Sequence, residues 1–138
     1  MRQTVFEGKA CYCINFRRAA NALTRFYDQA LAPLNLTGAQ YSLLNDINAL
    51  ESCNKSELAK YARLDRTTII RNVKVLREKG FIREKPEAVS LTPAGAAAII
   101  EGRAGWKLAQ REVKRVIGEE NIPVLRQILA NIAAWDRP

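Results

Sequence analysis

The stretch DRTTIIRNVKVLREKG, residues 65 to 80, constrains this chain more than any other feature. It sets Arg66, Thr67, Thr68, Arg71 and Lys74 among apolar residues, carries no acid from 66 to 77, and stops at a glycine. Ile69, Val73 and Leu76 recur at steps of four and three, so the stretch reads as a helix with one apolar side and one cationic side. A helix buried all round has no use for so many donors, and a merely soluble one mixes in acids. Asp65 is placed to cap the helix through its carboxylate, and Gly80 suits the left-handed position just past its end.

The flanking segments turn this helix into part of a motif. Asn54-x-x-Glu57 is a capping box that opens a short helix, KSELAKYA, with Leu58, Ala59 and Ala62 on its inner face. Two short helices joined by about four residues make a helix-turn-helix. Residues 81–85 and 88–91 are strand-like pieces on either side of Pro86-Glu87, which predicts a small hairpin, the wing of a winged helix-turn-helix. Thr92-Pro93 then supplies an N-cap followed by proline at the first helical position, opening a long helix that Gly118 ends. A last helix spans roughly 121–135.

Upstream, Cys13, Phe16, Ala20, Leu23, Tyr27, Ala30 and Leu34 form one stripe of a helix over 9–33, with Pro33 marking its exit. Thr37-x-x-Gln40 is a second capping box, and the helix it opens runs to about residue 50 through Tyr41, Leu44, Ile47 and Leu50. The fold class is therefore mainly α, in the order helix, helix, short helix, charged helix, hairpin, long helix, helix. Residues 37–92 are expected to form one lobe around the helix-turn-helix, and 1–36 and 93–138 a region of terminal helices within the same compact chain.

The function follows from what the charged helix presents. In a helix-turn-helix the second helix enters the major groove with its N-terminal residues at base edges. Arg66 and Arg71 can read guanine bidentately, Thr67 and Thr68 can reach a base or a phosphate, and Ile70 can touch a thymine methyl. Lys74 and Arg77 are better placed for phosphates, and Arg83 and Lys85 are the wing's basic candidates. A net charge of +8 agrees with a polyanionic partner, double-stranded DNA, which makes 37–92 the DNA-binding lobe. The competing readings are a solvated basic helix and a nonspecific DNA-compacting protein.

Other classes are narrowed by what the chain lacks. It has no histidine, which removes Ser-His and Cys-His dyads and most zinc sites, so no enzyme, cofactor or metal is expected. Three cysteines, an odd number, argue against a disulfide framework. There is no signal-peptide core and no apolar run long enough to span a membrane, which predicts a cytoplasmic protein with no membrane partner. The terminal helices carry apolar stripes that a small winged helix cannot cover. Val5, Phe6, Leu125, Ile128, Leu129, Ile132 and Trp135 are therefore expected at an interface between two copies, which makes 1–36 and 93–138 the dimerisation region.

SELAKYARLDRTTIIRNVKVLREKGFI, followed by VSLTPAG and preceded by a long helix and LNLTGAQYSLL, resembles the multiple-antibiotic-resistance regulator (MarR) family over about residues 9 to 135. The resemblance implies a homodimeric winged-helix regulator, a repressor of a pseudopalindromic operator, released by a small ligand or by oxidation. It also implies a ligand place between the dimer region and the DNA-binding lobe, where Phe16, Arg17, Tyr27 and Tyr41 are candidates for a small aromatic effector. Cys13 falls where the hydroperoxide sensors of the family keep a reactive cysteine, and Tyr27 matches one of their supporting tyrosines. Arg17 and Gly38 stand where other tyrosines are expected. A guanidinium one turn away and a helix N-terminus both favour a thiolate at Cys13, whereas a free cysteine is also an ordinary small apolar residue. A Cys13 thiol peroxidase is the third functional class. The wing departs from the family: only Glu84-Lys85-Pro86-Glu87-Ala88 fills its tip, so either the wing is short or part of it is missing from this chain.

Overall fold

The computed structural model describes residues 10–136. Six helices and one hairpin follow in the expected order: α1 (Tyr12–Leu31), α2 (Gly38–Leu50), α3 (Lys55–Ala62), α4 (Arg66–Glu78), β1 (Ile82–Lys85), β2 (Ala88–Leu91), α5 (Pro93–Ile117) and α6 (Ile122–Trp135). Short 3-10 turns, Ala32–Leu34 and Glu119–Asn121, precede α2 and α6. The first helix is thus shorter than the 9–33 expected. Pro33 and Leu34 lie in the 3-10 turn, and Asn35 then takes a left-handed backbone with φ 56°.

The core belongs to the central lobe. Ile69, Val73 and Leu76 of α4 are fully buried against Leu44 and Ile47 of α2, Leu58 of α3, and Ile82 and Val89 of the hairpin. Burying each such side chain stabilises by about 1.5–3 kcal/mol. These contacts fix the rotation of α4 about its axis, and hence which residues it shows to solvent.

Local signals set the ends of the elements. The capping boxes at Thr37 and Asn54 both close, each with its reciprocal bond from Gln40 or Glu57. Helix α4 ends in a Schellman turn: Gly80 donates to the Arg77 carbonyl at 2.9 Å and Phe81 to the Leu76 carbonyl at 3.0 Å, with φ +81° at Gly80. The Thr92 hydroxyl accepts from Gly95 N–H at 3.1 Å and donates to the Gly80 carbonyl at 2.6 Å, tying the end of α4 to the start of α5. Gly95 is required here because a Cβ would fall on the Phe81 carbonyl oxygen. Asp65 departs from expectation. It occupies the N-cap in an extended conformation, but its carboxylate closes no cap hydrogen bond.

The wing is short by construction. Its strands pair antiparallel from Ile82–Leu91 to Lys85–Ala88, leaving Pro86 and Glu87 as a two-residue loop. Its inner strand gains a partner that periodicity did not reveal: Cys53 and Val89 exchange both backbone hydrogen bonds, at 3.2 and 2.6 Å.

The terminal helices form a different layer. Helix α6 has no buried residue, and α1 has only Asn15 and Leu31. The α1 stripe read from the sequence is not a covered one: Phe16 is 44% and Leu23 39% exposed, and Cys13 is exposed as well.

Candidate nucleic-acid interface

Arg66, Thr67, Ile70, Arg71 and Lys74 all lie on the exposed side of α4, opposite Ile69, Val73 and Leu76. Their spacing of three and four makes one continuous strip beginning at the helix N-terminus. Thr68 is half-buried, and its carbonyl accepts from the Asn72 amide at 3.1 Å. Arg66, Arg71, Lys74, Arg83 and Lys85 form no ion pair among the described residues. The Asp65 carboxyl is held below the ordinary carboxylate range by Thr68 first and by the charge of Arg71 as well, so one acid sits at the foot of the strip.

Two groups named from the sequence are placed differently from the strip. Arg77 points to the wing, where its guanidinium donates to Glu84 Oε2 at 2.6 Å. Arg83 and Lys85 sit on the outward face of β1, alternating with Ile82 and Glu84 on the inward face. Tyr61 and Arg63, at the exposed end of α3, border the turn between the two helices and were not anticipated; Tyr61 is 53% exposed and Arg63 has φ 55°. A large exposed aromatic beside a cationic helix was their only sequence signal.

The ligand and thiol candidates separate. Tyr41 is a core residue, 3% exposed, with its hydroxyl donating to the Ile99 carbonyl at 2.8 Å. One edge of its ring reaches a cavity of about 520 Å³ that Asp46, Arg103 and Lys107 also line. Burial raises the Asp46 carboxyl pKa. Tyr27, hydrogen-bonded to Gln110, borders a neighbouring cavity of about 360 Å³. Trp106 and Ser42 line both cavities, whereas Phe16 and Arg17 line neither. Trp106 was missed because nothing in the periodicity of α5 distinguishes it from its neighbours. Cys13 is exposed in the first turn of α1. Burial first, and then Glu57, push the Cys53 thiol upward, which leaves it a poor thiolate.

Leu125 is half-buried and Ile128, Leu129, Ile132 and Trp135 are exposed, Trp135 by 76%. Val5 and Phe6 lie outside the described residues. Between α5 and α6 opens a groove of about 850 Å³ floored by Val113, Ile117, Leu125 and Leu129. No helix among the described residues is long and apolar enough to cross a membrane.

A helix-turn-helix pair, an outward cationic strip and a paired hairpin together define a winged helix-turn-helix DNA-binding transcription regulator. The chain belongs to the MarR family. The family model matches residues 36–88, from just before α2 to the first residue of β2. The M. tuberculosis transcriptional regulator MosR is 35% identical, with a TM-score of 0.80 over 91% of this chain and 95% of that one. The same regulator in complex with DNA is 35% identical, with a TM-score of 0.79 over 89% and 94% of the two chains. The oxidized form of MarR from E. coli, at 21% identity, shares the fold with a TM-score of 0.74 over 94% and 99%. No curated protein matches the sequence.

Proposed function

We propose that this protein is a homodimeric repressor that grips a pseudopalindromic operator with two copies of α4 and lets go when a small ligand or an oxidant reshapes the dimer. The observation that carries the reading is the division of α4, whose apolar side is locked in the core while Arg66, Thr67, Ile70, Arg71 and Lys74 face outward. MosR, the relative at 35% identity, has a structure in complex with DNA, which supports the same partner here.

A second copy is the natural cover for the terminal layer. Residues 1–36 and 93–138 carry the uncovered apolar faces of α1, α5 and α6, a patch of the kind that marks an interface. A two-fold assembly sets two recognition helices about 34 Å apart, one turn of DNA. The paired cavities around Trp106 lie between the terminal layer and α2 of the DNA-binding lobe, so an aromatic ligand there bears on both. Cys13, exposed on α1, is the candidate for oxidant release.

Selection of bound sequences from random DNA tests this. A two-fold-symmetric consensus, bound with an affinity that falls steeply with salt, is the expected result. Equal binding to selected and bulk DNA would overturn it in favour of nonspecific compaction.

A further inference from the structure

We infer that Glu84 is a positioning residue for DNA recognition: it occupies Lys55 and Arg77 as an internal counter-ion and so fixes the angle of the wing to the recognition helix. The inference rests on the DNA-binding reading and adds to it a rule for which cations meet phosphate.

Three elements converge on this one carboxylate. Lys55 is the first residue of α3, Arg77 lies in the last turn of α4, and Glu84 is on β1 between them. Lys55 Nζ pairs with one carboxylate oxygen and Arg77 donates to the other at 2.6 Å. The Glu84 side chain is only 13% exposed, because strand alternation turns it to the same face as buried Ile82. An independent contact joins the same parts. Glu84 pairs with Val89, which bonds to Cys53, two residues before Lys55. The wing is therefore fastened to the start of α3 by backbone on one strand and by charge on the other.

The charges divide accordingly. One carboxylate offsets only one of the two positive charges, but it engages both Lys55 and Arg77, so neither is left free to follow a phosphate. Arg83 and Lys85 alternate with Glu84 and stay outward and unpaired among the described residues. The wing's two cations are then offered to DNA from a fixed base with a two-residue tip.

The test has two arms on the full chain. Hydrogen exchange of hairpin amides, measured without DNA, is expected to quicken in Glu84→Gln relative to the native protein; unchanged exchange overturns the clamp whether or not DNA is bound. In the second arm the salt dependence of operator binding is compared. Arg77→Gln is expected to keep the native slope while losing affinity for the operator more than for random DNA. Glu84→Gln is expected to steepen the slope by about 0.9 for each cation released onto phosphate. A slope in Arg77→Gln shallower by about 0.9 per half-site would show Arg77 bound to phosphate and overturn the inference. If Glu84→Gln does not fold, hairpin exchange in Arg77→Gln decides the clamp by the same criterion.

Discussion

Arg71 sits mid-strip on α4, one turn beyond Thr67, exposed on the face that the proposed docking would turn to a base edge. Arg71→Ala is expected to lose about 1–3 kcal/mol of operator affinity and to relax preference at one base position, as read by binding to a panel of single-base operator variants. Uniform weakening across the panel would make it a phosphate contact. Glu84 answers to pH instead. Its folded pKa lies below the ordinary 4.5, first through the hydrogen bond from Lys55. A depressed carboxylate contributes stability that is complete above its unfolded value and fades as pH falls through the folded one. Acid titration of the hairpin below about pH 4.5 is expected to loosen the native protein, whereas Glu84→Gln loses less stability over the same interval.

At the scale of elements, what could be read in advance was what is local. The capping boxes at Thr37 and Asn54 and the Thr92 cap were legible because their partners lie three residues away. Thr92→Ala removes both its bonds, to Gly95 and to Gly80, and is expected to cost about 1–2 kcal/mol in chemical denaturation. The exposure of the cationic strip was legible because α4 is amphipathic, so burial on one side implies exposure on the other. Asp65 takes the N-cap position its residue type suggested and its carboxylate feels Thr68 in the first turn, but the cap bond to the backbone does not close. Cys53 as a strand partner, Glu84 as a bridge and Trp106 between two cavities were not legible, since each depends on segments far apart in sequence.

For the whole molecule, the terminal helices set the terms. A lone chain leaves Leu129 50% and Ile132 43% exposed on a helix with no buried residue. Leu129→Glu combined with Ile132→Glu is expected to yield a monomer by sedimentation and to abolish cooperative operator binding while the central lobe keeps its cooperative melt. A persistent dimer would place the interface elsewhere. An effector that loosens operator binding tenfold needs only about 1.4 kcal/mol of preference for the wrongly spaced form. The lobe itself has a hook toward α1: Lys79, just past α4, donates to the Asn35 carbonyl at 2.5 Å and to Gln40 at 3.1 Å, at the joint between α1 and α2.

Strand alternation in the hairpin carries a last consequence. Side chains along β1 change face at every step, so adding or deleting one residue before Glu84 would swap the roles of its neighbours: Arg83 or Lys85 would turn toward Lys55 and Arg77, and the acid would take the outward face proposed for DNA. Like charges would then crowd at the hinge while the tip repelled its target. A series of one- and two-residue insertions at this point should therefore separate two effects: both displace Glu84 along the strand and lose its bridge, but only the odd change also turns a cation into the hinge.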